Sequence, residues 1–265
     1  MFILRDYAQT VRLETRLSCP YGDLCYNCIV KRQKREAVMT YLGKGIYTLP
    51  SASRIIKIDS QKMRRWVNGY TRQRDAEPHY SEPLIKPEFK HVPDNAVLSF
   101  LDLMELLFIK NFVQHGISIQ KIRKAAASAA ALLNTSHPFA VRKMYTDGKG
   151  IFARYAEENK DPLLLDLIHR QFQFDEVIAP LLYENIDFDV YDCARKWWPD
   201  GKNSGVVLDP QRNFGRPILD RHNVRTELIY ELYKTNHSID EISDWYELGK
   251  DEIEVAIGFE KGLAA

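Results

Sequence analysis

The stretch TLPSASRIIKIDSQKMRRWVNGY, residues 48–70, carries two helical periodicities in close succession. In the second, Met63, Trp66, Val67 and Tyr70 fall at i, i+3, i+4 and i+7, the spacing of one helix face. Gln61, Arg64, Arg65 and Asn68 repeat that spacing two residues out of phase. One face therefore buries an indole, and the other presents two guanidinium groups and two amides. In the first stretch Ala52, Ile55 and Ile56 form the apolar stripe, with Thr48 as N-cap and Pro50 in the opening turn. Asp59 or Ser60 caps the second helix, and Gly69 ends it. A joint of three or four residues between them is the length a helix-turn-helix uses.

Charge is distributed to match. The net charge of +1 over 265 residues hides a segregation. From Thr40 to Arg74 eight bases face one acid, whereas from Ser238 to Lys261 two bases face eight acids. Such asymmetry points to a polyanion at one end and a different partner at the other. The composition, 45% apolar and 28% charged, is that of a soluble globular chain with length for one large domain or two ordinary ones. No apolar run approaches the ~18 residues of a membrane span. Charges interrupt the first residues too often for a signal peptide. The expectation is a cytoplasmic protein without membrane contact.

Cys19, Cys25 and Cys28 lie in CPYGDLCYNC, followed by a basic run. Three thiolates fall one short of a structural zinc site, whose fourth ligand would have to be remote, with Cys193 as the candidate. The preferred reading of residues 1–38 is a loose leader, or upstream sequence ahead of a start at Met39, with no metal. Beyond the opening helices, Pro78, Pro83, Pro87 and Pro93 suit a loop or wing. A long amphipathic helix follows from about Ala96 to Gln114, closed by Gly116; it is a candidate dimer face or a buried element. Ser118 caps a second helix, which stops at Asn134. VRKMYTDGKGIFARY reads as a hairpin around Asp147-Gly148-Lys149-Gly150, and a helical segment runs from about Pro162 to Asn185. ARKWW and GVVLD are short extended pieces, with Trp197-Trp198 anchoring the middle region. Three short helices end the chain, and Ile239, Ile242, Trp245 and Tyr246 are expected on the buried side of the middle one.

These pieces give a mainly α chain with a small β component (α+β): a winged-helix-like unit at 39–135 including two trailing helices, an α+β connector at 136–205, and a tri-helical, helix-turn-helix-like domain at 206–265. Placed in this order, residues 39–265 resemble the VapB-type antitoxins of type II toxin–antitoxin pairs. Those join a MerR-like helix-turn-helix to a C-terminal domain of unknown function 433. The resemblance is carried by residues 45–70, 137–155 and 206–233, and most recognisably by Asp209-Pro210, Phe214-Gly215-Arg216-Pro217 and Thr226. It departs at Asp220-Arg221, where many members carry glycine. The resemblance implies binding to double-stranded operator DNA, autorepression, and capture of a PIN-like ribonuclease toxin.

Two surfaces are expected from the residues. Gln61, Arg64, Arg65 and Asn68, with Lys62 on the same helix, suit base edges; Arg54, Lys57, Arg72 and Arg74 suit phosphates. A solvated basic face is the alternative. Helix-turn-helix proteins commonly bind as two-fold dimers, so a homodimer is expected. At the other end Asp251, Glu252 and Glu254 would repel phosphate, and with Trp245 and Tyr246 they suit a protein partner. A regulator with a protein-interaction domain and no toxin is the second functional reading. No dinucleotide fingerprint, phosphate loop or zinc-protease motif is present, and the seven histidines, His169 and His222 among them, have no catalytic setting. Neither an enzyme nor a cofactor is expected.

Overall fold

Capping chemistry sets the first elements. In the computed structural model Tyr47–Thr48 (β1) leads into Leu49–Ile55 (α1), whose N-cap Thr48 accepts from the Ser51 N–H. Asp59 then accepts from the Lys62 N–H at 2.8 Å to start Ser60–Asn68 (α2), and Gly69, at φ +72°, stops it. The structure describes residues 41–74, 77–89, 97–142, 185–235 and 237–264. β1 and every later element belong to one unit, Gly43–Ala265. Residues 1–38 with their three cysteines, the hairpin around residues 147–150, the helical segment expected from Pro162 and His169 lie outside the described residues.

Tyr70–Arg74 (β2) and Glu77–Ser81 (β3) pair antiparallel, so the proline-rich segment does begin as a wing. Pro78 fits because a two-stranded ribbon has only edge strands. Val97–Leu98 (β4) pairs back onto β1, closing the unit. The next helix begins later than its periodicity predicts, at Phe100–Gln114 (α3). Ser99 and Asp102 form a capping box there, and the extended β4 pairing takes the residues before it. Ile119–Leu133 (α4) runs from the Ser118 cap to left-handed Asn134.

Helix α3 is buried on nearly every side, with Leu103, Met104, Leu106, Phe108 and Ile109 at 1% exposure or less. Of the two roles its pattern allows, the buried one is what the structure shows. Phe108 stacks on Phe139 at 4.6 Å, and the core continues into Ile186, Ala194 and Trp197 of the strands Ile186–Phe188 (β5) and Ala194–Trp197 (β6). The tryptophan pair is core, and the Trp198 Nε1–H donates to Asp220 at 3.3 Å.

The C-terminal region has a core of its own. Val206–Val207 (β7), Ile218–Leu219 (β8) and Val224–Arg225 (β9) form a small antiparallel sheet beneath Thr226–Lys234 (α5), Ile239–Tyr246 (α6) and Lys250–Ala264 (α7). Ile229, Ile242, Ile253 and Ala256 are fully buried between them. Leu263 packs against both cores.

Candidate nucleic-acid interface

Helix α2 divides its residues as the periodicity requires. Met63, Trp66 and Val67 are buried, the indole at 5% exposure, while Gln61, Lys62, Arg64, Arg65 and Asn68 are all exposed. The helix thus works as a lever: an indole fixed in the core holds five polar side chains outward. Burying an aromatic side chain of this size contributes about 2–3 kcal/mol. Tyr70 departs from expectation at 39% exposure, because Gly69 ends the helix and passes Tyr70 to strand β2. There its ring lies 5.8 Å from the Arg65 guanidinium, and Lys62 lies 5.2 Å from the Trp66 ring. These contacts limit the freedom of both cations without neutralising them. No described carboxylate pairs with Lys62, Arg64, Arg65 or Arg72.

The wing stands beside this face. The Leu84 N–H donates to Trp66 O at 2.7 Å and ties the segment after the wing to α2. Arg72 is exposed and opposite His79 in register. Arg74 lies on β2, and its side chain falls outside the described residues. Tyr80, 56% exposed and across from Thr71, is a surface aromatic that sequence reasoning missed; its only signal is a position next to histidine in a proline-rich stretch.

Two of the expected phosphate contacts sit elsewhere. Arg54 lines a cleft of about 200 Å³ with Arg216, Glu227 and Glu260, and Lys57 lines another of about 270 Å³ with Lys110. No residue of α2 or the wing lines either cleft. Both clefts are walled on one side by α7. Arg54 on α1 and Lys57 in the turn after it are both exposed, but the domain that lies beside them is far away in sequence.

The C-terminal bundle carries the opposite surface. Asp251 and Glu254 are exposed on α7; Glu252 is half-buried, accepting from the Gly249 N–H and lying 3.0 Å from His222. Trp245 corrects the expectation of a buried ring: it is 56% exposed, packed edge-on against His237. Helix α6 has only eight residues, and its contact with the core is completed by Ile242, with Ile239 and Tyr246 half-buried. Among these five expected partner-binding residues, Trp245, Asp251 and Glu254 are openly available.

The two regions are joined by a contact that sequence did not reveal. Tyr47 Oη donates to Gly215 O at 2.6 Å, and the Ile46 N–H donates to Phe214 O at 2.9 Å. Gly215 has φ +78°, and a Cβ there would lie 2.3 Å from the Tyr47 oxygen. Burial drives the Tyr47 phenol well above its ordinary pKa, with the Asp209 charge adding to it. Around it, Asp209 accepts from Arg212 Nε at 3.0 Å, and Arg212 also grips Asp220. The Phe-Gly-Arg-Pro motif is thus a clasp on the segment that leads into β1.

The two ends set apart by charge are also the two that match known families. Residues 45–126 match the family described as "Putative DNA-binding HTH domain", and residues 206–259 match "Protein of unknown function (DUF433)". The chain shares the fold of a known crystal structure. That structure, of Rv2018 from Mycobacterium tuberculosis, aligns with a TM-score of 0.62 at 24% identity, covering 80% of this chain and 96% of that one. Among curated proteins, the "Putative antitoxin VapB45" of Mycobacterium tuberculosis is 24% identical over 221 residues, 80% of this chain and 92% of the relative. No described helix is long and apolar enough to cross a membrane, and no cluster of metal-ligating side chains occurs among the described residues.

Proposed function

We propose that this chain is a DNA-binding antitoxin: a MerR-like helix-turn-helix reads operator DNA through α2, and the C-terminal bundle engages a PIN-like ribonuclease toxin. The observation that carries the DNA half is the outward face of α2, where Gln61, Arg64, Arg65 and Asn68 stand exposed above a buried Trp66. An arginine fork pairs with guanine O6/N7 and an amide with adenine, each good pair being worth ~1–3 kcal/mol. The relative's name supports the toxin half, and the exposed Trp245 beside acidic side chains suits a protein surface. In this reading a homodimer represses its own operon from the cytoplasm, and the chain is not an enzyme.

The test is a gel shift on the DNA upstream of the chain's own gene, with and without the product of the adjacent gene. A retarded band lost on Arg65→Ala and sharpened by the neighbouring product is expected. Absence of any band at low salt sinks the DNA half. Failure of the neighbour to co-purify with the full chain, while DNA is still bound, sinks the toxin half alone and leaves a regulator with a different protein partner.

A further inference from the structure

The cleft behind Lys57 has an unusual balance of charge. Lys57, at the turn between α1 and α2, and Lys110, on α3, both line it, and neither forms an ion pair among the described residues. Asp200 lines the same cleft and pairs with neither. Burial first, and then the Lys57 charge, hold the Lys110 ammonium below the ordinary lysine range. Two like charges lining one cleft repel, and an anion bound there removes that cost. Other lysines of this chain do meet a carboxylate: Lys44 meets Glu88, Lys202 meets Asp187, and Lys196 meets Asp209.

The walls narrow the choice of anion. Ile55, Leu107, Trp197, Phe259 and Leu263 supply apolar surface around the two lysines. Gly258 and Gly262 of α7 form another side, and a Cβ at either would meet nothing within 4 Å. Glycine within a helix costs about 1 kcal/mol relative to alanine. Here the missing side chains leave the cleft open. A space of about 270 Å³ matches one or two side chains, and it lies off the surface formed by α2 and the wing. A duplex held on that surface brings its phosphates to other cations.

We propose that this cleft is a protein-docking site, taking an aspartate or glutamate side chain from an acidic, apolar-flanked segment of a partner protein between the Lys57 and Lys110 ammonium groups. The occupant's apolar neighbours lie against the half-buried Leu263. This goes beyond the proposed function: it requires neither operator binding nor a toxin, and a chain that ignored DNA would leave it intact.

The test uses the full chain labelled with ¹⁵N-glycine, so that Gly258 and Gly262 report directly. The probe is a short peptide alternating aspartate with leucine and phenylalanine, set against its asparagine counterpart and a random-sequence duplex. The aspartate peptide is expected to move the Gly258 and Gly262 signals, and the asparagine peptide to bind about tenfold more weakly. Lys110→Met, which keeps the apolar stem, is expected to cost a similar factor while leaving DNA affinity and its salt dependence unchanged. Gly262→Leu fills the cleft from α7 and is expected to abolish peptide binding with the fold intact, since its side chain enters open space. Equal binding of the two peptides overturns the proposal, as do shifts that spare both glycines. A duplex that moves those signals where the peptide does not makes the cleft a phosphate site instead, which also overturns it.

Discussion

Helix α2 near one end and helix α7 near the other each follow a short joint from the preceding helix, and both bury one face against a small core. On α2 the outward residues are Gln61, Arg64, Arg65 and Asn68; on α7 they include Asp251, Glu254 and two glycines. The backbone shape is similar, and the charge is reversed. Helix-turn-helix geometry is thus a scaffold whose partner is set by what the outward face carries. The two tryptophans make the same contrast: Trp66 is sealed inside its unit, and Trp245 stands in solvent on its own.

The largest expected effect breaks that contrast directly. Trp66→Ala should destabilise the chain by ~3–5 kcal/mol, the range for truncating a buried aromatic. Trp245→Ala should stay within about 0.5 kcal/mol, as exposed substitutions do. Chemical denaturation of both variants checks this, and equal losses would mean that the bundle needs its outer ring for folding.

Next comes the clasp that joins the two regions. Gly215→Ala forces a side chain into the Tyr47 hydroxyl at a backbone angle that favours glycine, and should cost at least ~1–3 kcal/mol. If the clasp couples the regions, thermal melting should change from one transition to two. A single melt, merely shifted, would show that the shared packing at Leu263 is enough to unite them.

How far sequence reaches is set by this architecture. Caps and periodicity are local, so Thr48, Asp59, Gly69 and Ser118 are all legible, and so is the buried Trp66. Tyr47 and Gly215 are 168 residues apart, and no local pattern ties them. Arg54 and Lys57 are exposed, and the clefts they line are walled by the distant α7, which no local pattern places beside them. Trp245 is misplaced because apolar spacing says which residues share a face, not how far the core extends along a short helix.

A smaller effect separates the regions by pH. Glu105 in α3 is buried and accepts from the Phe139 N–H at 2.6 Å, and burial raises its pKa from 4.5 to about 8. Asp102 and His137 lie against it. Burial opposes charging His137, but the hydrogen bond to Asp102 outweighs it and raises its pKa. A carboxyl raised on folding holds its proton longer in the native state, so stability declines as pH climbs from 4.5 toward about 8. A histidine raised on folding loses its contribution in the same direction. Glu105→Gln should therefore flatten the fall in Tm between about pH 5 and pH 9, gaining stability at the alkaline end by about 2–4 °C per kcal/mol. The C-terminal core has Glu260, accepting from Thr226 Oγ1 at 2.5 Å and also raised by burial, so an unchanged slope in the variant would move the pH dependence to that end.

The smallest effect asks whether charge alone keeps α7 from nucleic acid. Asp251→Lys with Glu254→Lys leaves the buried face of α7 untouched and should alter stability by no more than about 0.5 kcal/mol. If carboxylate repulsion is what excludes phosphate there, the double variant should gain weak binding to any duplex, and the salt dependence should steepen by about two phosphate contacts. Sequence preference should not change, because base reading would remain on α2. A variant whose affinity and salt slope match the parent would show that the bundle's shape, with Trp245 projecting beside it, already prevents a duplex from approaching. Charge would then be a consequence of the partner it does bind rather than the barrier to the one it does not.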